Sequence, residues 1–248
     1  MSVFSVYNIK GGVGKTAAAV NLAYLSSLDG SRTLLWDLDP QSSATFYLRV
    51  KPKIKGGSKG LITDRKRIGS SIKGTDFDDF DLLPGAFSCR KLDRLLLEAG
   101  NPTKGMGRVL KQLAREYDRI FLDCSPGMTV TAEALFRLSD TVLVPTIPTT
   151  LSMRTLEQLR KYYQKSSLKS ASVLGFFSMV DRRKTLHRSL CDSATKKPFK
   201  FLNTCIPFSS TVERMGLHRN PVCFYAASSK PSRAFRELWE EIRGIRNG

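Results

Sequence analysis

The stretch NIKGGVGKT at residues 8–16 limits what this chain can fold into more than any other feature. It nearly matches the pattern G-x-x-x-x-G-K-[ST], with Gly14, Lys15 and Thr16 in the expected positions and Ile9 where the first glycine would stand. An apolar run precedes it and a helical pattern follows it. In that context the glycines let backbone N–H groups surround an anion at the start of a helix. The stretch therefore predicts a strand, a phosphate-binding loop and a helix, in this order.

Each position of the loop has an expected part in binding a nucleotide. The three glycines allow the tight curl, Lys15 reaches the β- and γ-phosphates, and the hydroxyl of Thr16 binds Mg²⁺. The predicted nucleotide-binding residues of the loop are Gly11, Gly12, Val13, Gly14, Lys15, Thr16 and Ala17. A second cation, Lys10, has no evident use in a loop that holds one phosphate chain.

Apolar runs typical of strands alternate with amphipathic helical stretches along the chain. This order predicts an α/β fold, in which a mainly parallel, twisted sheet carries helices on both faces. The length suits one large domain, so we expect a single domain over residues 1–248. The predicted strands are 2–8, 33–37, 80–83, 119–123, 141–146, 172–178 and 201–205. The predicted helices are 15–28, 88–98, 105–116, 130–138, 152–166, 184–193 and 231–243.

Acidic residues follow two of the predicted strands. Asp123 ends the apolar run IFLD, and DLDPQ at residues 37–41 offers Asp37 and Asp39 at the end of another buried strand. Carboxyl ends of parallel strands share one edge of the sheet, where such folds bind ligands. We therefore expect carboxylates beside the phosphates, where they can hold the water shell of a metal ion.

The net charge is the unusual quantity in the composition. Forty Lys and Arg against 22 Asp and Glu give +18, which favours an anionic partner, above all nucleic acid. Residues 49–75 hold nine of the basic residues and the single acid Asp64. Two interpretations stay open for this segment: a solvated, flexible insertion with little apolar periodicity, or a contact for nucleic acid.

Two further features bear on the compartment. Five cysteines, an odd number without C-x-x-C spacing, are expected to be reduced and mostly buried. The N-terminal segment lacks the pattern of a secretory signal and no apolar run approaches 18 residues, so we expect a cytoplasmic protein.

Taken in order, six segments of the chain resemble the ParA/MinD ATPases, the deviant Walker A proteins. These segments are KGGVGKT, DLDPQ, FLDCSP, VPTIPTTLSMRTLEQL, SMVDRR and IPFSSTVERMG, and they cover nearly the whole chain. The resemblance implies a P-loop NTPase fold with ATP and Mg²⁺ as cofactors. It also implies a use for Lys10, which matches the lysine that reaches the phosphates held by the other subunit of an ATP-sandwich dimer.

The same resemblance assigns the remaining site residues. Lys10 and Lys15 would act in catalysis with Asp39, which matches the acid that positions the attacking water, and with Asp123, the Walker B acid. Thr16, Asp39 and Asp123 would hold the metal. Adenine would lie between two late loops, whose residues here are Met179, Asp181, Pro207 and Phe208.

Members of the family usually hydrolyse ATP slowly, and an adaptor protein stimulates them. The partition branch binds nonspecific DNA as an ATP-bound homodimer and positions a plasmid, a chromosome or a protein compartment, so the resemblance implies association with the nucleoid. Basic clusters in the last third are the DNA-binding candidates: Arg182, Arg183, Lys184, Arg188, Lys196, Lys197, Arg214 and Arg219, with Lys200 nearby. The arginine that often follows the late I-P pair is replaced here by Phe208-Ser209-Ser210.

The alternative is a membrane-surface ATPase like those of the MinD branch. Phe235, Leu238, Trp239, Ile242 and Ile245 fall at helical spacing near the C-terminus and could face a membrane. Three glutamates on the same helix would be repelled by anionic lipid: Glu237, Glu240 and Glu241. We therefore expect the apolar stripe to pack on the sheet and a membrane partner to be less suitable than DNA.

Overall fold

Eight strands form one sheet in the computed structural model, which describes residues 1–165, 171–193 and 199–247. The order across the sheet is β3-β4-β2-β5-β1-β6-β7-β8, and every neighbouring pair is parallel except β3 with β4. The strands are β1 (Ser2–Val6), β2 (Thr33–Asp37), β3 (Lys73–Gly74), β4 (Phe80–Leu83), β5 (Arg119–Asp123), β6 (Thr141–Thr146), β7 (Ser172–Val180) and β8 (Lys200–Pro207). All seven predicted strands are present, and the short antiparallel edge strand β3 was not predicted.

Helices cover both faces of this sheet. Alternate residues of β5 show why: Ile120 and Leu122 belong to one core cluster, whereas Phe121 belongs to the other. Strands buried on both sides in this way are continuous apolar runs. The helices are α1 (Lys15–Leu28), α2 (Ser43–Tyr47), α3 (Gly57–Thr63), α4 (Arg65–Ser71), α5 (Leu92–Glu98), α6 (Pro102–Leu113), α7 (Val130–Leu138), α8 (Thr150–Lys165), α9 (Thr185–Asp192), α10 (Ser210–Glu213), α11 (Met215–His218), α12 (Val222–Tyr225) and α13 (Lys230–Asn247).

The long helices were predicted and the short ones were not. The predicted limits of α1 and α7 agree with the structure, and a 3-10 turn at Phe87–Lys91 precedes α5 where one continuous helix was expected. Seven helices have four to seven residues, and of these only α5 was predicted. The six that were not predicted are α2, α3, α4, α10, α11 and α12. A helix of one or two turns carries too few apolar residues to show a period.

The basic segment 49–75 is folded, which corrects its interpretation as a flexible insertion with little apolar periodicity. It forms α3 and α4, and its residues Ile54, Leu61 and Ile68 are 6%, 2% and 2% exposed. They lie seven residues apart and join the same core cluster as Leu92 of α5. The apolar residues of the segment therefore anchor it, while its lysines stay exposed.

The C-terminal helix α13 packs on the sheet as expected. Phe235, Leu238, Trp239 and Ile242 are buried against the core, and the indole of Trp239 donates to Asp29 Oδ2 at 2.9 Å. This stripe is therefore not available to a membrane. Within the described ranges, no helix is both long and apolar enough to cross a bilayer.

Candidate nucleotide site

The phosphate loop joins β1 to α1 through backbone that only glycine adopts readily. Gly12 and Gly14 have φ values of +69° and +89°, in the left-handed region. A Cβ added to Gly14 would also lie 2.7 Å from Ser178 Oγ, at the end of β7. A side chain at this position would therefore push the loop away from the neighbouring strand.

Asn8 holds the start of the loop in place. Its side-chain amide donates to the Pro145 carbonyl at 2.8 Å, and its Oδ1 accepts from the Lys10 backbone N–H at 2.9 Å. Asn8 is 3% exposed, so both bonds are shielded from water. Sequence reasoning missed this residue, because nothing local connects it with a strand end 137 residues away.

Lys15 lies at the first turn of α1 with little solvent around it. It is 7% exposed, and its Nζ donates to the Lys10 carbonyl at 3.0 Å. Burial lowers the pKa of Lys15, and the nearby carboxylate of Asp123 acts against that shift. A buried ammonium group of this kind is suited to an anionic ligand.

Asp37 and Asp123 are register partners on adjacent strands, but their surroundings differ. Both are essentially buried, at 0% and 1% exposed. Asp37 accepts from the Asp39 N–H, the Thr45 N–H and the Thr45 hydroxyl at 3.1, 2.9 and 2.7 Å. Burial nevertheless raises the pKa of Asp37 to about 6.

Asp123 has no such support. Neither of its carboxylate oxygens has a hydrogen-bond partner in the described part of the chain. Burial and the neighbouring Asp37 raise the pKa of Asp123 well above its usual range, and the nearby Thr16 hydroxyl offsets this only in part. Buried carboxylate oxygens without partners are unfavourable unless a cation or a donor completes them.

Two further residues that sequence reasoning missed support the Asp37 carboxylate. The Thr45 hydroxyl donates to Asp37 and accepts from the Gly85 N–H at 2.8 Å. A Cβ at Gly85 would lie 2.8 Å from the carboxyl carbon of Asp37, so only glycine fits there. The Pro84-Gly85 pair after β4 is the one local signal, and it indicates a turn without indicating its neighbour.

The segment after β2 brings Asp39 to the phosphate loop. The Asp39 N–H donates to Asp37 Oδ1, and Asp39 Oδ1 accepts from the Gln41 N–H at 2.9 Å. Asp39 is only partly buried and shares one cavity with the loop glycines, Lys15 and Thr16. The carboxylate is therefore beside the expected position of the phosphates.

This cavity measures about 350 Å³ and connects the loop with the predicted adenine region. Met179, Pro207 and Phe208 line it, as do Gly11, Gly12, Gly14, Lys15, Thr16 and Ala17. Asp181 does not line it, and the Arg183 guanidinium donates to both oxygens of its carboxylate at 2.9 Å. These bonds lower the pKa of Asp181 to about 2. Val13 and Asp123 are both buried and do not line the cavity.

Lys10 is directed away from its own cavity. Its Nζ lies 3.5 Å from Ser152 Oγ, near the start of α8, and the residue does not line the cavity. Lys10 is therefore the one predicted catalytic cation that does not contribute its side chain to the pocket of its own subunit.

The predicted DNA-binding residues fall into three groups. Arg182, Lys184 and Arg188 are exposed around the start of α9, and Arg214 is exposed between α10 and α11. Arg183 and Arg219 already have partners within the chain. The Arg183 guanidinium pairs with Asp181 while its side chain stays 86% exposed, and Arg219 donates to the Phe46 carbonyl at 3.0 Å. Lys196 and Lys197 lie outside the described residues, and Lys200 is exposed on β8.

The parallel sheet, the glycine loop between β1 and α1, and the acids that end β2 and β5 define the class of the P-loop nucleoside triphosphatases. Residues 1–174 match the family model described as an AAA domain. The chain belongs to that family, and the ParA/MinD ATPases are the branch to which it is similar over its full length.

Three proteins to which the chain is similar are the following. The sporulation initiation inhibitor protein Soj of Bacillus subtilis is 26% identical over 247 residues, which cover 97% of each chain. The crystal structure of cobyrinic acid a,c-diamide synthase from Mycobacterium smegmatis with bound ATP analog and magnesium has a TM-score of 0.80 at 25% identity. The match covers 97% of this chain and 93% of that one. The Pyrococcus furiosus cell division ATPase MinD has a TM-score of 0.78 at 21% identity, covers 98% and 99%, and shows likeness of fold alone.

Proposed function

We propose that this chain is a ParA-type ATPase, acting as a single domain over residues 1–248, that dimerises around ATP and binds DNA without sequence preference. In this proposal it positions or segregates a cargo on the nucleoid, and an adaptor protein stimulates slow hydrolysis and release. The observation that carries the proposal is the shared cavity, in which the phosphate loop, Asp39 and the loops that end β7 and β8 surround one space large enough for a nucleotide.

Mg²⁺ fits the oxygen groups beside this cavity. Asp123 presents two carboxylate oxygens without partners, and Thr16 and Asp39 add a hydroxyl and a second carboxylate. Among the residues described, no three His, Cys, Asp or Glu side chains are grouped to hold a metal alone. This suits a metal ion that is held largely by phosphates and waters. Bound there, Mg²⁺ would neutralise the charge of the phosphates.

The protein groups have separate tasks in the proposed hydrolysis. Lys15 and the N–H groups of the loop bind the phosphates, and Asp39 orients the attacking water from the cavity wall. Lys10 supplies its ammonium group to the phosphates held by the partner subunit. Its direction away from its own cavity supports this task, since the group is free of that pocket.

DNA is the surface that suits this chain best. The net charge of +18 favours a polyanion, and exposed arginines and lysines at the start of α9 provide contacts for phosphates. A membrane partner lacks a corresponding contact in the C-terminal helix, because the apolar stripe of α13 is buried.

The test is retention of a nonspecific DNA duplex with ATP, with ADP and without nucleotide. We expect retention by the wild-type protein with ATP only. Lys15→Ala should lose ATP binding and DNA retention together, because it removes the cation of the phosphate site. Asp39→Ala should retain ATP and DNA, because the phosphate loop is intact. It should lose hydrolysis, because it removes the carboxylate proposed to orient the attacking water.

One control variant and two contradicting outcomes make the result decisive. Lys161→Ala removes an exposed lysine on α8, away from the cavity, and should behave as the wild type does. Equal affinity of the wild-type protein for DNA with and without ATP would contradict the proposal, as would recruitment by ATP to anionic vesicles without DNA retention.

A further inference from the structure

A second cationic cavity lies at the edge of the sheet, within the basic segment 49–75 for which a contact with nucleic acid was left open. It measures about 620 Å³, and five of its eight lining residues are Lys or Arg, with no acid among the eight. The lining residues are Arg49, Val50, Lys51, Lys53, Lys55, Ser70, Lys73 and Gly74, and we call this surface the lysine pocket.

The fold holds these lysines together. Ile54 is buried in the core, and the lysines on either side of it, Lys53 and Lys55, are exposed. The Lys55 N–H donates to the hydroxyl of Ser71, which is 1% exposed and donates in turn to the Arg67 carbonyl at 2.6 Å. Lys73 comes from β3, the antiparallel edge strand. The pocket is therefore built on anchored backbone.

One of the five cations of the pocket forms an ion pair in the described part of the chain. Arg49 forms an ion pair with Asp76 at 3.5 Å. Within the described part of the chain, Lys51, Lys53, Lys55 and Lys73 have no ion pair at all. Four ammonium groups around one cavity repel each other, so an anion with several charges is the ligand they would bind most strongly.

The lysine pocket adjoins the nucleotide cavity through α2. Ser43 and Tyr47 line the nucleotide cavity and also line a groove that continues to Arg49 and Lys51. Arg219 fastens the end of α2, since its guanidinium lies 4.6 Å from the centre of the Phe46 ring and its Nε donates to the Phe46 carbonyl. The helix that follows Asp39 thus connects the two cavities.

We propose that the lysine pocket is a contact site for the phosphate backbone of DNA, additional to the arginines around α9. This inference rests on the proposed function and adds to it a site within residues 49–75. The contact is with phosphates and is independent of base sequence.

The test compares two variants that lose the same charge. Lys53→Gln/Lys55→Gln/Lys73→Gln removes three cations from the pocket, and Lys91→Gln/Lys161→Gln/Lys230→Gln removes three exposed lysines that do not line it. Binding of a labelled nonspecific duplex is measured with a non-hydrolysable ATP analogue over a range of salt. We expect the pocket variant to bind at least about tenfold more weakly and its salt slope to fall by about 2 to 3, while the control matches the wild type. Thermal unfolding verifies that both variants are folded.

The outcomes separate this proposal from the one on which it rests. If the pocket variant binds DNA as the control does, the lysine pocket is not a DNA contact, although the proposed function stands. If the wild-type protein binds no DNA with the analogue, both proposals fail. If the pocket variant loses binding to anionic vesicles and keeps binding to DNA, the site belongs to a lipid surface and the proposal is overturned.

Discussion

Two aspartates in the same register show how differently the fold treats equal side chains. Asp37 is satisfied by three donors, whereas Asp123 has none among the residues described. The first carboxylate holds the segment that carries Asp39, and in the proposed site the second would face the metal ion. Their separate tasks follow from their neighbours and not from their burial, which is the same.

Thr45 is the residue on which the Asp37 arrangement depends. Thr45→Val keeps the shape of the side chain but removes the hydroxyl, so the Gly85 N–H and one lone pair of Asp37 lose their partner. We expect the free energy of unfolding to fall by about 1–3 kcal/mol. Denaturant unfolding measures this change. Thr45→Ser keeps the hydroxyl and should lose less, and equal stability of the Val variant would contradict the assigned contacts.

At the scale of elements, apolar residues decide which segments belong to the core. Helix α13 and the basic segment 49–75 both carry many charges, and both are anchored by a few buried side chains. Helix α13 is also held by polar contacts, because Asp29 accepts hydrogen bonds from both Trp239 and Arg243, the latter at 3.1 Å. The helix is therefore part of the folded unit.

Removal of one anchor of α13 should be costly. Leu238 is 0% exposed, and Leu238→Ala leaves a cavity between the helix and the sheet. We expect the free energy of unfolding to fall by about 2–5 kcal/mol. The matched control is Leu217→Ala, since Leu217 is 80% exposed and its loss should change stability by less than about 0.5 kcal/mol. Similar values for the two variants would show that α13 leaves the sheet in solution.

At the scale of the whole molecule, the proposed mechanism needs a second copy of the chain. A single subunit contains the phosphate loop, Asp39 and the adenine region in one cavity, but the Lys10 ammonium group lies outside it. Hydrolysis would then depend on dimerisation, since the missing cation comes from the partner.

Lys10→Ala should separate binding from hydrolysis. We expect this variant to bind ATP as the wild type does, because Lys10 does not line the cavity. We expect it to hydrolyse ATP more slowly than the wild type by a factor of about 10³ or more. Nucleotide binding and phosphate release measure the two steps. In the Asp39→Ala background, sedimentation with ATP and Mg²⁺ should show a dimer. A monomer under those conditions, or full activity of Lys10→Ala, would refute the mechanism.

Much of the fold and the phosphate site could be predicted from the sequence because their signals are local. Strand, glycine turn and helix follow one another within residues 2–28, and Asp123 directly ends an apolar run. The adenine region and the role of Lys10 came from resemblance, since neither follows from any pattern of the residues alone. The contacts of Arg183 with Asp181 and of Arg219 with the Phe46 carbonyl were not predicted, and the part of either arginine in DNA binding stays a prediction.

The sequence by itself determined the order of seven of the eight strands and of the long helices, the phosphate loop and the position of the acids at strand ends. Only the tertiary structure decided that Asn8 binds Pro145, that Thr45 and Gly85 hold Asp37, and that the lysines of segment 49–75 surround one pocket. The physical reason is the separation along the chain of the residues that interact. A periodic pattern or a turn is set by neighbours along the chain, whereas these contacts exist only after the sheet has brought distant segments together.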